Sequence, residues 1–230
     1  MEAIILAGGL GTRLRSRLAH LPKAMAPVAG RPFLEILLDQ LIAAGFGRVV
    51  LSVGYLRDII IDRFGDNYRG ISICYSIEEE PLGTGGAIRF ALRQTTESAV
   101  FVLNGDTYLS TDYGSVLSSH TISGGVMTMV VTHVDDVARY GGIVIEDGHI
   151  TGFIEKGRTG PGWINGGTYV LSRDFPWRSD LPERFSFESD VIAPFLGVLR
   201  PAAFQCTGYF LDIGVPEDLE RAQVELGRLP

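Results

Sequence analysis

Apolar residues recur in two rhythms along the first half of the chain. Ala3-Ile4-Ile5-Leu6, Arg48 to Val53 and Ala99 to Leu103 are short, nearly continuous apolar runs. This is the pattern of strands buried on both faces. Ile71 to Ile77 alternates apolar and polar residues and reads as another strand. Between these runs, Pro32 to Ala44 places Leu34, Leu37, Leu38 and Leu41 at helical spacing and closes on Gly45. Arg57 to Phe64 and Gly85 to Leu92 read as shorter helices. Strands separated by helices on short connections predict an α/β fold with a parallel sheet. Ligands then sit beyond the carboxyl ends of the strands.

The second half is richer in strands. Val126 to His133, Ile143 to Ile145, Ile150 to Ile154, Ile164 to Leu171, Ala202 to Cys206 and Tyr209 to Leu211 are the candidates, with Gly148 in a hairpin turn. A helix is expected from Glu188 to Phe195, and a last one from Pro216 to Leu226, with Glu217 and Asp218 at its positive end. No repeat, low-complexity tract or linker interrupts this order, so residues 1–230 read as one domain.

Composition narrows the chemistry. The net charge of −7 and the lack of a basic stripe argue against a long nucleic acid as partner. No apolar run reaches the ~18–20 residues of a membrane span. The amino terminus reads as a core strand rather than a signal peptide, so a cytoplasmic protein without a membrane partner is expected. Cys74 and Cys206 are far apart and read as reduced thiols, and the four histidines are scattered without zinc spacing. Of 20 basic residues only Lys23 and Lys156 are lysine. A compact ammonium suits a single phosphate oxygen better than a guanidinium fork does.

The strand Ala3 to Leu6 runs into Ala7-Gly8-Gly9-Leu10-Gly11-Thr12-Arg13-Leu14, with Pro22-Lys23 following. Glycines there let backbone N–H groups approach an anion, and Arg13 and Lys23 add full positive charge. The arrangement suits a polyphosphate. It is not a P-loop, because no Gly-Lys-Ser/Thr closes it, and Leu14 stands where a dinucleotide fingerprint needs glycine. Asn104-Gly105-Asp106 follows a buried strand, which puts Asp106 at a strand's carboxyl end. A carboxylate facing a polyphosphate calls for a cation between them, and Mg²⁺ suits hard oxygen ligands. Asp212, after another apolar run, is the candidate second carboxylate on that metal. Glu155-Lys156 ends a strand and could meet sugar hydroxyls and a second phosphate. Asn165-Gly166-Gly167 breaks a strand where something approaches closely, and Asn165 offers a donor and an acceptor to a diol. Tyr140-Gly141-Gly142 is a similar break beside a ring. In Glu78-Glu79-Glu80, a carboxylate turned inward would match the adjacent N1–H and N2–H₂ donors of guanine, whereas uracil would suit an amide. Glu78 and Glu80 share a side in extended backbone.

The Gly8 to Leu14 run with Pro22-Lys23 resembles the signature of the sugar-1-phosphate nucleotidylyltransferases. The likeness continues through Pro81-Leu82-Gly83-Thr84, Asn104-Gly105-Asp106, Glu155-Lys156, Asn165-Gly166-Gly167 and Asp212 to Asp218, nearly the whole chain. The fold this implies is a Rossmann-like three-layer α/β/α sandwich with a mixed, mostly parallel central sheet. Within the family, Ser76 to Ile88, Arg139-Tyr140-Gly141, Ile164 to Gly167 and Phe185 to Glu188 are most similar to heptose 1-phosphate guanylyltransferases. Mannose-1-phosphate guanylyltransferases and N-acetylmuramate 1-phosphate uridylyltransferases share much of the pattern.

The resemblance implies GTP and a sugar 1-phosphate as substrates, Mg²⁺ as cofactor, and a product destined for a cell-surface glycan. It puts the nucleotide against Leu6, Ala7, Gly8, Gly9, Gly11, Thr12, Arg13, Lys23, Glu78, Glu80, Gly83, Thr84 and Asp106. It puts the sugar against Asn104, Tyr140, Gly141, Glu155, Lys156 and Asn165. Arg13, Lys23, Asp106, Lys156 and Asp212 would be the catalytic set, with Asp106 and Asp212 on the metal. A monomer or small homo-oligomer is expected. A non-catalytic nucleotide-sugar sensor on the same fold is the alternative from another class, and retention of all five charges argues against it.

Overall fold

The structure is a computed structural model describing residues 1–9, 11, 14, 18 and 20–228. In chain order its strands are β1 (Glu2–Leu6), β2 (Pro27–Val28), β3 (Arg31–Pro32), β4 (Arg48–Val53), β5 (Asn67–Tyr68), β6 (Ile71–Ile77) and β7 (Ala99–Asn104). They continue with β8 (Thr107–Leu109), β9 (Met127–Val134), β10 (Gly142–Glu146), β11 (His149–Ile154), β12 (Gly162–Ser172), β13 (Ala202–Cys206) and β14 (Phe210–Asp212). The α-helices are α1 (Phe33–Ala43), α2 (Arg57–Phe64), α3 (Gly83–Ala91), α4 (Tyr113–Ser123), α5 (Leu196–Leu199) and α6 (Pro216–Glu225).

Ten strands form one sheet in the order β10-β11-β13-β9-β12-β7-β1-β4-β6-β5. Successive side chains of its central strands enter different cores, because strand side chains alternate faces. Ala3, Ile5, Val49, Leu51, Phe101 and Leu103 pack with α1, α2, α4 and α6. Ile4, Val50, Val100 and Val102 pack on the other face with α3 and the segment from Phe187 to Leu199. Helices thus cover both faces, which is why these strands are apolar throughout.

The α/β class and the mixed sheet agree with expectation, but the sheet is not mostly parallel. Parallel pairing joins β6, β4, β1 and β7, and separately β9 and β13. The long strand β12 runs antiparallel between β7 and β9, and β10, β11 and β13 also pair antiparallel. The cause is local. Strands β10 and β11 are joined by the tight turn Asp147-Gly148, both at positive φ (48° and 75°), which needs no helical crossover.

Two helical segments also differ from the reading. The expected helix at 188–195 is a π-helical turn (Phe187–Ile192), then a 3₁₀ turn (Ala193–Phe195), then α5. Pro194 lacks the N–H that a continuous helix would use there. Helix α4 was not anticipated, because its Gly, Ser and Thr content hides the apolar stripe. Its start is marked by Asp112, whose side chain accepts from Gly114 and Ser115 N–H. No helix among the described residues is long and apolar enough to cross a membrane.

Candidate active site

The cleft lies where the carboxyl ends of β1, β4, β6 and β7 meet the amino end of α3. It has a volume of about 340 Å³ and is lined by Leu6, Ala7, Gly8, Gly9, Lys23, Glu78, Gly83, Thr84, Asn104, Gly105 and Asp106, among others. Thr12 and Arg13, both expected on the phosphates, lie outside the described residues.

The glycine turn is built around its neighbours. Gly11 has φ +54°, and a Cβ there would come within 3.0 Å of the Lys23 Cβ. The missing side chain therefore lets the turn seat against Lys23, which explains their pairing in the sequence. Gly9 faces open space. A Cβ at Gly8 would lie 3.0 Å from Glu78 Oε1, so the Glu78 carboxylate sits directly beside this turn.

Glu78, rather than Glu80, reaches the cleft. Its N–H bonds the Val53 carbonyl at 2.8 Å, so the strand path continues one residue past β6. The chain then bends. Glu79 turns out to Arg57 at 3.1 Å, and Glu80 is exposed and lines no part of the cleft. The shared side of an extended backbone is lost at that bend. The Glu78 carboxylate is held at both oxygens: Ser52 Oγ donates to Oε1 at 2.8 Å, and Leu82 N–H donates to Oε2 at 3.0 Å. Ser52 is fully buried in β4. Its hydroxyl stands out in an otherwise apolar run and marks the place where the strand meets a polar partner.

The two aspartates come together through a ribbon that periodicity did not predict. Gly105 N–H bonds the Leu6 carbonyl at 3.1 Å, pinning the loop after β7 to the end of β1. Strand β8 then pairs antiparallel with β14, which sets Asp212 opposite Thr107. Ile213 N–H bonds the Asp106 carbonyl at 2.9 Å. Lys23 Nζ forms an ion pair with Asp106 Oδ2. Asp212 Oδ1 accepts the Gly214 N–H at 2.5 Å. Burial, and secondarily the Asp106 charge, push the Asp212 carboxyl above the ordinary range, while Lys23 and Arg139 pull the other way. Two carboxylates crowded in this manner suit a divalent cation that relieves their repulsion. Among the described residues no group of three or more His, Cys, Asp or Glu could hold a metal, so a cation here would share its shell with phosphate oxygens.

The sugar-side residues fall into two places. Tyr140, Gly141 and Lys156 meet at the end of the β10–β11 pair, where a Cβ on Gly141 would lie 3.6 Å from Lys156 Cγ. Lys156 and Glu155 are exposed and do not line the cleft. This corner is tied to the aspartates by Arg139. Its guanidinium stacks 4.7 Å from the Tyr140 ring centroid, pairs with Asp218, and stands 3.9 Å from Asp212 Oδ2. Asn165 lies at the irregularity in β12 between Asn165 and Thr168. The same break brings Gly167 close to Asn104, whose Nδ2 would lie 3.0 Å from a Cβ there. Arg139, Ser52 and Glu188 (described below) received no role from the sequence, although Arg139 and Glu188 stand inside motifs that carried the resemblance.

A glycine turn, a lysine and two aspartates converge at the carboxyl edge of an α/β sheet, an arrangement suited to an enzyme of nucleotidyl transfer. The model of the nucleotidyl transferase family matches residues 2–228, and the chain belongs to that family of enzymes. It is 43% identical over 226 residues, 98% of each chain, to the D-glycero-alpha-D-manno-heptose 1-phosphate guanylyltransferase of Aneurinibacillus thermoaerophilus. It is 34% identical to the mannose-1-phosphate guanylyltransferase of Mycobacterium tuberculosis, covering 99% of this chain but 65% of that one. Among solved structures, HddC from Yersinia pseudotuberculosis superposes with a TM-score of 0.86 at 41% identity, over 98% of this chain and 99% of that one. The same protein complexed with GMP-PN gives 0.84.

Proposed function

We propose that this enzyme transfers a guanylyl group from GTP to D-glycero-α-D-manno-heptose 1-phosphate, giving the GDP-heptose and pyrophosphate. The observation that carries this reading is the end-to-end match to a heptose 1-phosphate guanylyltransferase. The doubly held Glu78 carboxylate beside the glycine turn supports guanine as the base, since it offers two acceptors to N1–H and N2–H₂.

The sugar phosphate is itself the nucleophile and is already ionised, so no side chain needs to attack. Catalysis is then positioning and charge neutralisation. The Gly8-Gly9 backbone receives the triphosphate, and the Arg13 cation is assigned to the charge of the departing pyrophosphate. The Lys23 ammonium, already poised against Asp106, meets the α-phosphate and the incoming phosphate. Asp106 and Asp212 would hold Mg²⁺, which when bound supplies positive charge to the reacting phosphates. Lys156 holds the sugar phosphate from its corner, and Tyr140, Gly141, Glu155, Asn104 and Asn165 orient the sugar.

The test is a substrate matrix. GTP, UTP, ATP and CTP are each offered with heptose, mannose, glucose and N-acetylmuramate 1-phosphates, and pyrophosphate release is followed. The highest kcat/KM is expected for GTP with the heptose phosphate. Preference for UTP, or binding of GTP without pyrophosphate release, overturns the proposal.

A further inference from the structure

A chain of hydrogen bonds joins the base side of the cleft to the sugar side, and Glu188 is its middle link. Tyr169 is fully buried in β12. Its hydroxyl donates to Glu188 Oε1 at 2.9 Å and accepts from Asn165 Nδ2 at 2.6 Å. Thr84 Oγ1, at the start of α3 and in the lining of the cleft, donates to Glu188 Oε2 at 3.0 Å. Thr84 Oγ1 also accepts the Phe187 N–H at 2.8 Å. Glu188 stands in the π-helical turn Phe187–Ile192, a local distortion of the kind found at functional sites.

The charge of Glu188 gives this chain its direction. An ionised carboxylate only accepts, so the Tyr169 hydroxyl must spend its one proton on Glu188. Its oxygen then has only acceptor capacity left for Asn165, which must present Nδ2 to it. The other end of that amide agrees, because Asn165 Oδ1 accepts the Gly167 N–H at 2.9 Å. A flipped amide would set a carbonyl against a phenol oxygen with no proton to give. The Asn165 amide is therefore locked, with one N–H and one oxygen lone pair left over.

We infer that Glu188 is a positioning residue that, through Tyr169, braces the Asn165 amide in the orientation Gly167 N–H also favours and ties it to the nucleotide-side Thr84, so that the two subsites are set as one unit. This rests on the proposed function above. Glu188→Gln tests it most sharply, because a glutamine can turn its NH₂ to Tyr169, take away the fixed acceptor of the phenol proton and so weaken the hold on Asn165 Nδ2, while Gly167 N–H still keeps Asn165 Oδ1 on its own side. Tyr169→Phe removes the link altogether.

Wild type, Tyr169→Phe, Glu188→Gln and the double variant are compared with GTP and whichever sugar 1-phosphate the wild type uses best. Both single variants should raise the KM for the sugar phosphate roughly tenfold. Tyr169→Phe should leave the Kd for GTP, titrated without sugar phosphate, within about twofold of wild type, a threshold well below the loss of one hydrogen bond. The double variant should be no worse than either single one, because both break one chain. An unchanged sugar-phosphate KM with only kcat or melting temperature lowered overturns the inference. If Tyr169→Phe fails to fold, the near-isosteric Glu188→Gln decides alone. A wild type inactive with every sugar phosphate sinks the guanylyltransferase reading and this inference with it. An active wild type whose variants keep its sugar-phosphate KM sinks only the inference.

Discussion

Replacing Glu78 by glutamine should redirect base selection while leaving the fold intact. Leu82 N–H is a fixed donor 3.0 Å from Glu78 Oε2, so the oxygen of the new amide must stay on that side. The amide NH₂ then faces Ser52, whose hydroxyl, now donating to Oε1 at 2.8 Å, can rotate to accept. Little stability is lost, and the orientation of the amide follows from its neighbours. Guanine presents two adjacent donors, and the glutamine accepts only one and opposes the other. A hydrogen bond to a charged partner contributes about 1.5–3 kcal/mol, so kcat/KM with GTP should fall on the order of a hundredfold. UTP, whose N3–H lies beside carbonyl acceptors, gains a complementary amide and should lose far less. The assay is pyrophosphate release at limiting GTP or UTP with a fixed sugar 1-phosphate, alongside a melting curve. A folded Glu78→Gln protein whose GTP-to-UTP preference moves by less than about threefold, below one hydrogen bond's worth, would refute the assignment of Glu78 to the base.

Further expectations follow from the same geometry. Asp212→Asn should lower kcat on the order of a hundredfold or more yet raise the melting temperature of the metal-free protein at neutral pH. Burial and Asp106 raise the Asp212 pKa, so its stabilising contribution is present below the ordinary aspartate range and lost as pH rises through the raised value. A lowered melting temperature in this variant would contradict that sign. Gly83→Ala places a Cβ 2.5 Å from the Phe185 carbonyl oxygen at φ +70°. It should cost about 2–4 kcal/mol, seen as a melting point lower by roughly 5–15 °C. His120, buried against Thr128 at 3.0 Å, has its pKa lowered by desolvation. Its contribution is therefore present above the ordinary histidine pKa of about 6.5 and lost as pH falls through the lowered value. Urea midpoints of wild type should drop between about pH 7.5 and 5.5, across the histidine range, and His120→Gln should flatten the drop.

The parts of this protein that were readable in its sequence are those governed by local rules. Strands β4 and β6 and helix α2 match their apolar runs residue for residue, because burial on known faces dictates composition over six to eight positions. Gly8, Gly11 and Lys23 were legible because close approach at those two glycine positions leaves only glycine. The antiparallel course of β12 was not, since an apolar strand carries no mark of its neighbours' direction. Nor was the choice between Glu78 and Glu80, which depends on a bend two residues past β6 and on a serine from a different strand. Arg139 illustrates the same limit. Its contacts with Asp212, Asp218 and Tyr140 exist only after β14 and α6 have docked.

The pairing of β8 with β14 joins segments from opposite halves of the chain. During synthesis, the glycine turn, Lys23, Glu78 and Asp106 all leave the ribosome well before Asp212 does. The proposed second carboxylate is therefore the last of the proposed catalytic residues to be made, and the ribbon that seats it beside Asp106 closes only when β14 docks on β8.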